Sequence, residues 1–155
     1  MALILLCGDP HLKITRFQLT QDFLKWINGV VVETKPDLFV NLGDTFDSHA
    51  VLRSELMEEF RQHVLSVVRT GCTYHYLLGN HDFYKPNSSK YHALQSFKGL
   101  HKDFVVIDKI MDINGITYVP YQPDLSTFPK QTRDIVFAHQ TFIGADYGFK
   151  RADAG

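Results

Sequence analysis

The sequence predicts an α/β chain, and two observations predict it. Short apolar runs alternate along the chain with segments of helical periodicity. Four of those runs stop directly at polar groups: Gly8-Asp9-Pro10-His11, Gly43-Asp44, Gly79-Asn80-His81-Asp82 and Ala138-His139. Strands that end this way gather their donors on one rim of one sheet, where open α/β folds bind ligands.

Each element has a local reason. Ala2 to Cys7 is apolar throughout, as expected of a strand buried on both faces. Thr15 and Gln18 have capping-box spacing ahead of Phe23, Ile27, Val30 and Val31, which recur at helical intervals until Pro36 forbids continuation. Leu38 to Leu42 forms a second strand. Leu52, Leu56, Phe60 and Val64 then mark the inward stripe of a second helix ending near Gly71. Tyr74 to Leu78 is a third strand, and Lys85 to Ser89 carries the Pro, Asn and Ser of a loop. A short helix is expected over Tyr91 to Phe97. Phe104 to Ile107 and Ile116 to Val119, separated by a segment holding Asn114-Gly115, predict two antiparallel strands with a tight connection. Asp134 to Ala138 delivers His139. With no internal repeat, low-complexity tract or linker, residues 1–155 are expected to form one domain.

Composition narrows the function classes. The chain has 155 residues, 45% hydrophobic and 21% charged, enough for one substantial core. A formal net charge of −1 argues against wholesale electrostatic capture of nucleic acid, so a phosphate-bearing partner must be gripped locally. Cys7 and Cys72 have no CxxC spacing and suggest no disulfide framework, hence a reducing, cytoplasmic setting. No apolar stretch approaches the ~20 residues of a membrane helix. Met1 to Leu6 lacks a basic leader and reads as a strand.

The polar ends carry the chemistry. Asp9 and His11, two apart, can turn a hard oxygen and an imidazole nitrogen toward one ion. Asp44 has two carboxylate oxygens and can bridge two ions about 3.5–4 Å apart. Asn80 and His139 can serve the second ion, and His81 can protonate a departing alkoxide. An isolated Asp or Asn after a strand is usually a turn former or cap. Four such ends in this order outweigh that reading. His63 and His75 read as packing or surface residues. Phe83, Tyr84, Tyr91 and Phe97 read as core rather than as a base-stacking platform.

At these residues the sequence resembles the calcineurin-like metallophosphoesterase superfamily, motif by motif and over nearly the whole chain. Gly43-Asp44-Thr45-Phe46-Asp47 followed by a helix is similar to the SbcD-type DNA-repair exonuclease branch, including compact phage-encoded members. The resemblance implies an α-β-β-α sandwich with Asp9, His11 and Asp44 on a first metal and Asp44, Asn80 and His139 on a second. It further implies His81 as catalytic acid, Asp82 as its orienting partner, and two divalent cations, Mn²⁺ first and Fe, Zn²⁺ or Mg²⁺ as alternatives. DNA is the implied substrate, with an SbcC-type ATPase as partner. The branch's further catalytic His stands three residues after the bridging Asp; Asp47 holds that position here, with His49 two beyond it. His49 and Lys85 are candidate substrate contacts, and Lys85, Lys90, Lys98 and Lys102 are candidate phosphate contacts.

The resemblance also implies a last motif, Gly-His-x-His, which this sequence lacks. One histidine per metal is then missing, which predicts a shortened or cut chain with an incomplete second sheet and weakened metal binding. An exposed sheet edge would favour homodimers or strand exchange. Two rivals stand beside the nuclease: a small-molecule phosphodiesterase, and a non-catalytic scaffold like the metallophosphoesterase-like subunit of retromer.

Overall fold

A computed structural model describes residues 2–48, 52–84 and 91–142. Its strands are β1 (Ile4–Cys7), β2 (Leu38–Asn41), β3 (Thr73–Leu77), β4 (Phe104–Ile107), β5 (Met111–Ile113), β6 (Ile116–Val119) and β7 (Ile135–Ala138). The α-helices are α1 (Phe17–Thr34) and α2 (Ser54–Arg69). The first four strands form a parallel sheet in the order β1-β2-β3-β4, and the last three form a second sheet, β5-β6-β7.

Alternation along β2, β3 and β4 builds two cores on opposite faces of the first sheet. Phe39, Tyr74, Tyr76 and Phe104 face the helices, where Leu24, Ile27 and Val31 of α1 and Leu56, Phe60, Val64 and Val67 of α2 cover them. Val40, Leu77 and Ile107 face the other way and pack against Ile116 and Tyr118 of β6 and Phe137 of β7. Helix layer, sheet and sheet are three layers of the expected sandwich. Both faces of β2, β3 and β4 are covered, so these strands need no polar alternation; β1, expected to be buried on both faces, lies instead at the sheet edge with Leu6 48% exposed.

Three local expectations change. The capping box at Thr15 and Gln18 does not form: Thr15 lies inside a 3₁₀ turn, Ile14–Arg16, and α1 starts at Phe17 with no side-chain cap. The cause is upstream, where Leu12 pairs with Phe46 and holds the chain in an extended bridge until Lys13. The helix ends as expected before Pro36, with Lys35 in the left-handed region at φ 49° and its N–H donated to the Val31 carbonyl. Phe104–Ile107 and Ile116–Val119 are not partners: the former pairs parallel with β3, the latter antiparallel with Met111–Ile113. Asn114 and Gly115 are both left-handed, at φ 50° and 82°, and so tight a turn returns the chain onto the residues just before it. That strand is hard to see in sequence because it is three residues long with Asp112 at its centre. Finally, Phe83 and Phe97 are core, whereas Tyr84 and Tyr91 are exposed.

His63 and His75 are buried, as packing residues. His75 Nδ1 lies 2.7 Å from the Tyr118 hydroxyl and ties the two sheets together. His63 Nδ1 lies 2.6 Å from Asn28 Oδ1, linking α2 to α1. Burial pushes the His63 pKa down to about 4. The unfolded chain therefore takes up a proton near pH 6.5 that the folded chain refuses, and stability falls as pH drops from about 6.5 to about 4, levelling below. His63→Gln is expected to lose ~2 kcal/mol less than the parent between pH 7 and 4.5 in urea unfolding. Equal losses would show that His63 titrates normally. Among the described residues no helix is long and apolar enough to cross a membrane.

Candidate metal centre

The loops after β1, β2 and β3 meet at one end of the first sheet. The β1 loop is laid along the β2 loop by backbone hydrogen bonds: the N–H groups of Asp9, His11 and Leu12 donate to the carbonyls of Gly43, Asp44 and Thr45. That pairing forces unusual backbone. Asp9, His11 and Asp44 all have positive φ, at 51°, 45° and 52°. Non-glycine residues hold that conformation at a cost of order 1–3 kcal/mol each, and such strain clusters at functional sites. Here it turns three ligand-type side chains inward, with one donor atom from each within 4.8 Å of the others.

The β3 loop is held against the β2 loop by a fully buried carboxylate. Asp82 accepts the N–H of Gly79 at 2.8 Å, the N–H of Asp44 at 3.1 Å and the Tyr76 hydroxyl at 2.9 Å. Burial pushes its pKa up to about 7, against these donors, which favour the ionised form. The Tyr76 hydroxyl in turn accepts the Thr45 N–H. Gly43 and Gly79 cross where there is no room for a side chain: a Cβ on Gly79 would overlap Asp44 Oδ1, and one on Gly43, at φ +98°, would lie 2.5 Å from the Gly79 nitrogen.

His139 arrives from elsewhere. It follows β7, so the fourth motif stands on the second sheet and not on the rim of the first; the common rim expected from sequence is shared by two packed sheets. Parallel pairing of β7 with β6 is what directs it there: Ala138 is level with Val119, and the His139 N–H donates to the Val119 carbonyl. His139 Nδ1 donates to the Leu42 carbonyl at 2.6 Å, which leaves Nε2 facing Asn80 Oδ1 at 3.0 Å and Asp44 Oδ2 at 3.4 Å. Burial works against a charged imidazole, yet the Asp44 carboxylate outweighs it and lifts the His139 pKa to about 9. Burial likewise opposes the Asp44 charge, and His139 with the His81 N–H overcomes it, holding that carboxyl below the usual range.

The donors fit a pair of cations. Asp44 belongs to both groups: with Asp9 and His11 on one side, and with Asn80 and His139 on the other. In the second group Nε2 faces two oxygens, a mixed donor set that a divalent cation would suit. Oxygen and imidazole donors without thiolate suit Mn²⁺, Fe or Zn²⁺. Cys7 is no competitor, because burial and Asp9 push its thiol up to about 11.

His81 stands beside this centre. Its N–H donates to Asp44 Oδ1 at 2.8 Å, and its ring meets the edge of His11 with centroids 4.8 Å apart. A cavity of about 350 Å³ opens over Asp9, Asp44, Asn80, His81 and His139. Asp47 accompanies the same pair: His11 Nδ1 lies 3.7 Å from its carboxylate and Lys13 Nζ 3.0 Å, and Lys13 holds its pKa below the usual range. His49, Lys85 and Lys90 lie outside the described residues. Lys98 and Lys102 are paired with Asp108 and Asp103. Sequence reasoning missed Tyr76, Thr45 and Tyr121, of which the first two clamp the β2 and β3 loops and the third lines the cavity. Tyr76, on β3 with a buried hydroxyl, reads as ordinary core, Tyr121 stands outside any motif, and Thr45 lies within the Gly43 to Asp47 stretch, whose resemblance gives it no role.

The calcineurin-like phosphoesterase family model matches residues 2–151. Putative phosphoesterase 244L of Invertebrate iridescent virus 6 is 26% identical over 159 residues, covering 94% of this chain and 56% of the relative. Putative phosphoesterase 078R of Invertebrate iridescent virus 3 is 26% identical over 162 residues, covering 94% of this chain and 46% of the relative. The chain thus spans about half the length of the curated relatives it matches. Among solved structures, the nuclease MPE of Pseudomonas putida superposes with a TM-score of 0.51 at 16% identity, over 79% of this chain and 56% of that one, a likeness of fold.

Proposed function

Since the chain belongs to the calcineurin-like phosphoesterase family, we propose that it hydrolyses phosphodiester bonds with two divalent cations, Mn²⁺ foremost, and that its substrate is DNA. The observation that carries the reading is Asp44, which takes part in two donor groups: its Oδ2 lies 3.4 Å from His139 Nε2, and one of its carboxylate oxygens lies within 4.8 Å of donor atoms of Asp9 and His11. A scaffold has no physical need for such convergence. The SbcD-type branch, which the Gly43-Asp44-Thr45-Phe46-Asp47 stretch resembles, supports DNA as substrate and an SbcC-type ATPase as partner. The structural neighbour from Pseudomonas putida is named as a nuclease, which points the same way.

In this mechanism Asp9 and His11 would hold one cation and Asn80 and His139 the other, with Asp44 shared between the two groups. When bound, the cations supply Lewis acidity, a more acidic water and neutralisation of the phosphate charge. The protein supplies fixed positions. The Leu42 carbonyl sets the His139 tautomer, and Asp82 holds the Gly79 and Asp44 amides so that the β2 and β3 loops cannot part. His81, next to His11 and at the cavity wall, gives a proton to the departing sugar oxygen.

The test combines metal analysis with two substrates. Protein freed of metal by chelation and titrated with Mn²⁺ is expected to bind about two equivalents and then to cleave both bis(4-nitrophenyl) phosphate and single-stranded DNA. Cleavage of a cyclic nucleotide in preference to DNA would replace the substrate assignment. Failure to bind Mn²⁺, Fe or Zn²⁺ would end the hydrolase reading.

A further inference from the structure

A second pocket, of about 330 Å³, adjoins the first across the paired His11 and His81 rings. His11 lines it on one side, and Arg16, at the end of the 3₁₀ turn, lines the other with Leu19 and Phe23 of the first turns of α1. Lys13 stands at its edge. The cavity over the candidate metals includes His81, so the two hollows share a wall two rings thick. A ligand that filled both would pass directly over the residues assigned to the reaction.

Charge and polarity define what the second pocket can take. Lys13 is matched by Asp47 at 3.0 Å, whereas Arg16 makes no ion pair among the described residues. One cation is therefore uncompensated at the pocket, in a chain whose overall balance is slightly acidic. An exposed guanidinium binds phosphate oxygens with two parallel donors. The wall beside it is apolar: Leu19 is 60% exposed and Phe23 packs at the base, a surface suited to a sugar or a base face. A small phosphate monoester held at the metal centre would have nothing to place here.

Resting on the phosphodiesterase reading, we propose that this pocket is the subsite for the neighbouring nucleotide of a polynucleotide strand, with Arg16 holding the phosphate next to the one that is cleaved. The substrate is on this account a chain of at least two phosphates, and Arg16 discriminates it from a single phosphodiester. Arg16 takes no part in the bond-breaking step.

The experiment uses equilibrium binding, which needs no turnover. Fluorescence anisotropy with a labelled oligothymidylate is compared for the parent, Arg16→Ala and Arg16→Lys, over a range of salt. Arg16→Ala is expected to weaken binding about tenfold, and to lower the slope of log K against log salt by about 0.7, one phosphate contact on a single strand. Arg16→Lys should restore the slope and most of the affinity. Competition with oligouridylate tells a DNA from an RNA preference. Rates on bis(4-nitrophenyl) phosphate should be the same for all three proteins. An unchanged affinity and salt slope in Arg16→Ala, or no oligonucleotide binding by the parent, would overturn the subsite. Loss of nitrophenyl hydrolysis in Arg16→Ala would overturn it too, by placing Arg16 in the reaction. Arg16-dependent binding by a parent protein that hydrolyses neither substrate would leave the subsite standing and remove the hydrolase reading.

Discussion

Asp44→Asn is expected to lower Mn²⁺ binding at both sites and to reduce hydrolysis of any phosphodiester by about 10³-fold or more. The magnitude follows from the several kcal/mol of charge stabilisation that bound cations provide, since ~4 kcal/mol is a factor of about 10³. The substitution is a mild one for the fold. An amide keeps an oxygen for the His81 N–H, and it relieves the cost of a buried charge that His139 and His81 offset. Metal titration and turnover should therefore collapse together while the urea midpoint of the metal-free protein holds. Full metal occupancy in Asp44→Asn would show that the two donor groups do not share this carboxylate.

The second large effect belongs to His81. Its removal to alanine leaves the proposed metal ligands in place, so Mn²⁺ stoichiometry should be unchanged. Turnover on DNA should fall about 10²–10⁴-fold, the usual contribution of a positioned acid. The two substrates then separate the roles. A sugar oxygen leaves poorly without a proton, whereas nitrophenolate leaves readily as an anion, so bis(4-nitrophenyl) phosphate should lose far less. Equal losses on both, accompanied by metal release, would make His81 a ligand instead of an acid. The edge contact with the His11 ring gives a reason to measure metal affinity as well as rate, because its loss also frees His11.

Much of this molecule is legible without coordinates, for identifiable reasons. β1 to β4 stand out from the sequence within a residue or two at each end as short runs rich in apolar and aromatic residues, β2 to β4 because both their faces are covered. The candidate donors Asp9, His11, Asp44, Asn80 and His139 stand out because each follows a strand end, where the chain must turn. α2 shows through Leu56, Phe60 and Val64, which recur every four residues and are all buried. What misled was local. The capping box of Thr15 and Gln18 lost to the Leu12 bridge, a contact with Phe46 that lies far away in sequence. β5 was hidden by its length and by Asp112, which pairs with Arg133 at 2.8 Å on the exposed surface.

Along the chain, then, residue types and their order determine which segments are strands, where each stops and which donors stand at the stops. Only the tertiary structure decides that those donors belong to two sheets and still meet. The reason is that convergence depends on long-range backbone pairing: β6 with β7 brings His139 to Leu42, and the Asp9 to Leu12 segment runs along Gly43 to Thr45. Along the Asp9 to Leu12 pairing, Asp9, His11 and Asp44 all stand at positive φ, and the fully buried Asp82 accepts the Asp44 N–H.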